Sequence, residues 1–433
     1  MKKILIISYN FAPRHTVGVI RPTKLAQALK EKGNHVDVVT VKPFGELDHS
    51  FDEVLGKLDS VIEIDRPIVK EGGASQPKGG AAAPQKKSVN TSGFKKMGFK
   101  SRLKHEVKEI MRITGSKAYT REFKKLVLAD KEKYRSYDAV ISSYGPVSCH
   151  LCGLVMKKYA PKVKWIADFR DPMVVNHTSF FTKGYRTRLQ NRVCRKADSL
   201  VAVSNGYYQR IFGERYKHKA SVIYNGFDRN DVDIEGAVPD NLFSFTYVGA
   251  LYAGKRDITP LFKAVKELCD EGKMNMEDVH FKYAGNHLAV FESQAKKYGL
   301  EGRITDYGML PRGKCLELQA STRHLVLSTW NEKGENGVFP GKFLEYIMMG
   351  KSIVSLVAGD EPNSEVSVVM KRAGLGITYE EATADADFAG LKKYVYRDYL
   401  LFKEGKLPEL NINTEETERF DFANAAKQIE ELI

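Results

Sequence analysis

"KILIISYNFAPRHTVGVIRPTKLAQALKEKGNHVDVVTV", residues 3–41, decides the fold class. "KILIIS" reads as a strand buried on both faces, and it is too short for the apolar core of a signal peptide. The loop "YNFAPRHTVGV" follows. "IRPTKLAQALKEKG" then sets Leu25, Ala28 and Leu29 at helical spacing and stops at Gly33. "HVDVVTV" is a second buried strand. Strand, helix and strand within about 40 residues make a βαβ unit, which implies a parallel sheet.

The pattern continues outward. "YDAVISS" (137–143), "VKWIADF" (163–169), "SLVAVS" (199–204) and "ASVIYNG" (220–226) are further strands separated by helical patterns. "DRNDVDIEGAVPDN" (228–241) is polar and poorly patterned, a linker. "FSFTYVG" (243–249) opens a second series, with strands at "VHFKYAG", "ITDYG", "HLVLST" and "SIVSLV". The expected fold class is α/β: two Rossmann-like domains with parallel sheets facing across a cleft, where ligands bind at the carboxyl ends of strands. The expected bounds are 1–230 for the first domain, 231–241 for the linker and 242–411 for the second domain. The tail, 412–433, reads as one helix capped by Asn413 or Thr414.

Composition narrows the class. The chain has 433 residues, 42% apolar and 28% charged, which suits two globular domains. The net charge is +14, and residues 70–135 alone hold 18 Lys and Arg against 6 Asp and Glu. Within that region, 71–93 has almost no large apolar residue and reads as a flexible insertion. The segment 94–135 reads as basic and helical, with Phe94, Met97, Leu103, Val107, Ile110 and Met111 on one side. It either packs on its own domain or lies on an anionic membrane surface. No apolar run is long enough to cross a membrane.

The five cysteines show no disulfide spacing, which points to a cytoplasmic location. The pair Cys149 and Cys152 forms a CxxC around His150, but no second ligand pair follows, so buried thiols are expected. The DxD triplets at Asp231–Asp233 and Asp385–Asp387 follow no strand and are set aside as metal sites.

Four places carry candidate chemistry. Gly18 precedes a helix start that offers N–H groups to a phosphate, with Arg14, His15 and Arg21 adding charge. "GALYAGKRD" (249–257) repeats that arrangement in the second series, with Lys255 and Arg256 at the helix entrance. In "GVFPGKFLEY" (337–346), Pro340 and Gly341 open a helix whose Lys342 and Glu345 share a face. Donor N–H groups, a cation and a carboxylate together suit a diphosphate with a sugar hydroxyl beside it. In "WIADFRDPM", Asp168, Arg170 and Asp171 crowd the end of a buried strand, and His150 lies on the preceding helix.

With these motifs the chain resembles the GT-B retaining glycosyltransferases of family 4. The resemblance runs through "FAPRHTVGVIRPTKLAQALKEKGNHVDVVT", "WIADFRDP", "VAVSNGY…VIYNGFD", "YVGALYAGKRD", "YGMLPRGKCLELQAS" and "FPGKFLEYIMMGKSIVSLVAGD". It implies a nucleotide-sugar donor held mainly by the second domain and a final helix returning toward the first. By position it implies donor contacts at Gly18, Lys255, Arg256, Leu310, Gly341, Lys342 and Glu345, with Leu310 at the base and Glu345 at the ribose. It implies a catalytic role for Asp171 beside the reacting sugar. His15, Arg170 and His150 are expected to bind or orient the acceptor. The family's E-x7-E motif departs here: its first glutamate would fall on Gly337, and whether Glu335 substitutes stays open. An arginine expected at 250 is Ala250, with Arg256 nearby to supply charge.

The implied activity is transfer from a nucleotide sugar to a glycan or lipid-linked acceptor in cell-surface polysaccharide assembly. No cofactor and no metal are expected, because the departing diphosphate is stabilised by protein cations and N–H groups. A sugar-nucleotide epimerase or phosphorylase on the same scaffold is the first rival. A non-catalytic protein binding an anionic polymer is the second, and scarce aromatics in the basic segment argue against nucleic acid.

Overall fold

The computed structural model describes residues 1–65, 99–175, 178, 180–231, 241–252 and 255–433. The expected insertion 71–93 and most of the linker, 232–240, lie outside the described residues, as does Asp233. The basic segment is described from Phe99.

Thirteen strands form among the described residues, in two sheets. The first contains β1 (Lys3–Ile7), β2 (His35–Val41), β3 (Ser60–Ile64), β4 (Ala139–Ser143), β5 (Lys164–Phe169), β6 (Ser199–Ala202) and β7 (Ala220–Val222) in the order 3-2-1-4-5-6-7. The second contains β8 (Phe243–Val248), β9 (Val279–Ala284), β10 (Ile304–Asp306), β11 (His324–Trp330), β12 (Ser352–Ala358) and β13 (Gly376–Glu380) in the order 10-9-8-11-12-13. Neighbouring strands pair in parallel; for example, Ile4 sits beside Val36 on one side and Ala139 on the other. Parallel sheets are covered on both faces, which explains why β1, β2 and β8 are buried almost without alternation.

The helices are α1 (Ile20–Glu31), α2 (Asp52–Lys57), α3 (Phe99–Ala129), α4 (Lys131–Arg135), α5 (Ser148–Tyr159), α6 (Phe180–Lys196) and α7 (Asn205–Ile211). They continue with α8 (Thr259–Asp270), α9 (Leu288–Lys296), α10 (Arg312–Ala320), α11 (Gly341–Met349), α12 (Glu365–Ala373) and α13 (Ala384–Lys403). The last two are α14 (Thr414–Glu418) and α15 (Phe422–Glu431).

Packing divides the chain into two compact units. One comprises 1–22, 34–168 and 172–198; the other comprises 23–33, 169–171 and 199–433. In the first unit, Trp165 is fully buried and donates from Nε1 to Ser142 Oγ at 2.8 Å. Tyr119, Phe123 and Val127 bury one side of α3, which packs against α5 and α6. The described part of the basic segment is thus docked on its own unit. In the second unit, Phe243, Phe245, Phe262, Phe281 and Phe291 form an aromatic core under β8 and β9.

The tail departs from the expected single helix. Asn413 caps α14, but the chain breaks at Arg419–Asp421 and restarts as α15 under an Asp421 cap. Tertiary pairing explains the break: Phe227 N donates to Phe420 O at 2.8 Å, and Phe422 N donates to Phe227 O at 3.1 Å. Phe420 is buried between Tyr224 and Phe339, and these contacts override continuous helical propensity.

Candidate functional site

Both sheets reverse strand order beside their first strand: between β1 and β4, and between β8 and β11. Such switch points leave crevices at the carboxyl ends of strands, because the flanking loops run to opposite faces. The two glycine loops singled out from sequence follow β1 and β8, so each stands at a switch point.

In the second unit the loop after β8 is shaped by its neighbours. Gly249 has φ +126, and a Cβ there would stand 2.7 Å from Lys342 Cε. Glycine is therefore required both by the backbone and by the lysine lying across it. Lys342 and Gly341 begin α11, whose first turn has no side-chain cap. Its early N–H groups carry the partial positive charge of a helix start. Glu345 lies one turn deeper, where Gln319 Nε2 approaches its Oε2 at 3.5 Å. Cys315 stands beside Lys342 and Glu345; burial raises its pKa, Lys342 opposing and Glu345 adding. Its thiol reaches Leu310 O at 3.5 Å, and Leu310 packs on Val248, Ala284 and Leu318. Leu310, Lys342 and Glu345 are thus brought together.

Lys255 is not a bare cation. Its Nζ stands 3.0 Å from Glu335 Oε2, 3.4 Å from Glu332 Oε2 and 5.3 Å from the Trp330 ring centre. Partial burial works against its charge, but the hydrogen bond to Glu335 and the two carboxylates outweigh it and raise its pKa. Arg256 turns inward. It donates to Ala250 O at 3.0 Å and stacks 4.5 Å from the Tyr252 ring centre. Arg256 and Lys342 share the wall of a small cavity of about 10 Å³, room for about one water.

A further segment of this unit meets the same loop. Gly206 and Gly337 touch backbone to backbone: a Cβ on Gly206 would fall 2.2 Å from Gly337 Cα. Ser204 Oγ donates to Gly337 O at 2.9 Å and also caps α7 by accepting from Tyr207 N. Tyr207 has its pKa pushed up to about 12, first by burial and then by the negative charge of Asp171, against Arg210 and with Glu335 adding. Asp171 keeps exposed surface, yet packing around its carboxyl raises its pKa above the ordinary aspartate value, with Arg170 opposing. Asp171, Tyr207, Glu335 and Lys255 therefore form one electrostatic row.

In the first unit, Gly18 faces Asn10: a Cβ would come 3.2 Å from Asn10 Nδ2, which donates to Gly145 O at 2.9 Å. Arg14 bonds Asn10 and stacks 3.8 Å from the Phe44 ring centre. His15 is half-exposed with Glu46 Oε2 3.3 Å from Nδ1. Arg21 is committed elsewhere. It is 4% exposed and donates to both oxygens of Asp168, itself 1% exposed, from Nη2 at 2.7 Å and Nε at 3.0 Å. Ser143 Oγ donates to the same carboxylate at 3.1 Å. Asp168 is thus an internal anchor. His150 is fully buried against Ser142 Oγ at 2.8 Å, and burial pushes its pKa down to about 3, against Asp168. It presents no surface, so any part in orienting an acceptor is indirect. Cys149, Cys152 and Cys194 are buried and form no disulfide among the described residues. Among the described residues, no group of three or more His, Cys, Asp or Glu could hold a metal ion.

Solved structures share the fold. Sucrose-phosphate synthase from Thermosynechococcus elongatus matches with TM-score 0.58 and 14% identity, over 100% of this chain and 98% of that one. The lipopolysaccharide outer core galactosyltransferase WaaB, in its apo form, matches with TM-score 0.58 and 14% identity, over 99% and 98%. UDP-GlcNAc 2-epimerase from Methanocaldococcus jannaschii matches with TM-score 0.52 and 10% identity, over 100% and 99%. The fold is GT-B. At these identities the likeness is one of fold. No protein-family model and no curated protein matches the chain.

Within this GT-B chain, sequence reasoning missed Glu332, Trp330 and Tyr207 as neighbours of the lysine loop. The "SNGY" segment carried a usable signal: Ser before Asn-Gly marks a helix cap, and a glycine inside a first helical turn marks a close approach. Glu332 and Trp330 had no such signal, because their meeting with Lys255 depends on the neighbouring ends of β8 and β11.

Proposed function

We propose that this protein is a retaining glycosyltransferase of the family 4 type, taking a nucleotide-sugar donor and a glycan or lipid-linked acceptor in cell-surface polysaccharide assembly. The observation that supports it most is the row Asp171, Tyr207, Glu335 and Lys255, set beside an uncapped helix start bearing Lys342. Cations and N–H groups suit a diphosphate; a carboxylate with raised pKa and a protonated tyrosine suit sugar hydroxyls.

In this reading Lys342 and the first N–H groups of α11 hold the donor diphosphate, and Glu345 accepts from ribose hydroxyls. Leu310 meets the base, and the loop at Gly18 is of a kind that admits a phosphate. The bond from the anomeric carbon to the diphosphate breaks, and a bond to the acceptor oxygen forms on the same face. The acceptor proton passes to the departing phosphate. Lys255 exchanges a carboxylate for a phosphate oxygen, so Glu335, released, turns to the sugar. That exchange gives Glu335 the place left by the absent glutamate at 337. Asp171 stabilises positive charge on the ring. No metal enters this scheme, the location is cytoplasmic, and the segment 94–135 meets an anionic membrane surface.

The test is a thermal-shift screen with UDP-, GDP- and ADP-sugars, followed by transfer assays with the stabilising donor. Stabilisation by one donor class and loss of transfer in Lys255→Ala and Glu345→Ala support the reading. Conversion of the donor's sugar without any acceptor identifies an epimerase instead.

A further inference from the structure

Helix α6 carries cations only. Phe180–Lys196 holds Lys183, Arg186, Arg188, Arg192, Arg195 and Lys196, with no Asp or Glu. Phe181, Gly184, Arg188, Arg192 and Arg195 are spaced by three or four residues and so follow one side of the helix; all five are exposed. The other side buries Thr182, Leu189, Val193 and Cys194 in the first unit.

Helix formation alone does not favour this side. Arg188 and Arg192 are one turn apart and repel, and no carboxylate on the helix offsets them. The ring of Phe181, at the head of the row, is 73% exposed, an unfavourable place for an aromatic in water. Both features turn favourable against one kind of surface. Arginines would meet phosphate headgroups, and the ring would enter the boundary between headgroups and acyl chains. A free polyanion would satisfy the arginines and leave the ring in water. From 181 to 195 the row runs about 21 Å along the helix, a straight edge suited to a planar surface. The adjacent α3 exposes Lys117, Arg121 and Lys124 at the same spacing, and Lys117 Nζ lies 5.9 Å from the Tyr185 ring centre of α6.

We infer that the exposed side of α6, Phe181 with Arg188, Arg192 and Arg195, docks this protein on the headgroups of an anionic phospholipid bilayer. The inference rests on the proposed transferase reading for its purpose, since a lipid-linked acceptor would be met there. It adds a second contact element to the basic segment 94–135.

The experiment is co-sedimentation of the full chain with vesicles of phosphatidylcholine, or of an equimolar mixture with phosphatidylglycerol. Binding to the mixed vesicles alone is expected, weakening with salt. Arg188→Gln, Arg192→Gln and Arg195→Gln together lower partitioning roughly 100-fold, at about fivefold for each arginine. Phe181→Ser lowers it about tenfold. An unchanged melting temperature and unchanged donor-induced thermal shift show that the variants are folded. Wild-type sedimentation of the triple variant overturns the assignment, as does equal binding to phosphatidylcholine alone. Binding to heparin without binding to mixed vesicles overturns it too. A chain that responds to no nucleotide sugar yet docks through α6 rejects the donor reading and supports this one.

Discussion

Lys255 and Glu335 are held as a pair, Nζ to Oε2 at 3.0 Å, with Glu335 two residues before Gly337. The pair joins the loop after β8 to the loop after β11.

The pair is part-exposed, so it adds little to stability, within about 1 kcal/mol. In the proposed reading its weight falls on the donor. Lys255→Ala should lower transfer by roughly 100-fold or more with little change in melting temperature. Glu335→Gln should lower kcat more than it raises KM, because its work begins once Lys255 has left it for phosphate. A Glu335→Gln enzyme with wild-type kcat would deny it that part.

The two glycines that touch, Gly206 and Gly337, set where Glu335 stands. A methyl on Gly206 would overlap Gly337 Cα at 2.2 Å, so the loop must move. Gly206→Ala should cost about 1–3 kcal/mol and raise the donor KM, although residue 206 is assigned no donor contact. Gly184→Ala, at an exposed helix position with nothing near its Cβ, is the matched control and should hold or raise stability by up to about 1 kcal/mol and leave the donor KM intact. Equal effects from both variants would remove the close approach as the cause.

Sequence periodicity reached the framework and stopped short of the contacts. The strands around β1, β2, β4, β5, β8, β9, β11 and β12 were legible because burial on both faces leaves continuous apolar runs. β3, part-exposed at Ser60–Glu63, and the glycine-led β13 lack that signature. Gly18, Lys255 and Lys342 were legible as loop and helix-start positions, which are local. Arg21 was read as adding charge to the Gly18 loop and is instead bound to Asp168, 147 residues away. His150 likewise gave no sign in sequence of its complete burial. Pairings across such separations leave no periodicity to read.

Asp171 gives a pH-dependent test. Its folded pKa lies above the ordinary aspartate value, so the folded chain favours the protonated carboxyl. The stability this contributes is full below the ordinary value, about 3.9, and is lost as pH rises through the folded value. Asp171→Asn should therefore melt higher than the wild type at neutral pH, with the advantage vanishing in acid. Transfer should fall in the same variant, since an amide cannot stabilise positive charge on the ring. A melting difference that grows toward acid would reverse the assigned sign.

Arg21 and Asp168 should behave in the opposite manner, as structure without chemistry. Both are almost wholly buried and joined by hydrogen bonds from Nε and Nη2 to the carboxylate. Removing one partner leaves the other charged and buried, so Asp168→Ala should cost about 3–5 kcal/mol. Replacing both, as Arg21→Met with Asp168→Leu, should recover most of that loss, because two apolar side chains owe no desolvation. Urea unfolding of the two singles and the double completes the cycle. The double variant should also regain the donor-induced thermal shift, because neither side chain is asked to touch the donor. A double variant as unstable as Asp168→Ala would mean that Asp168 is needed for something other than neutralising Arg21, Ser143 being among its other partners.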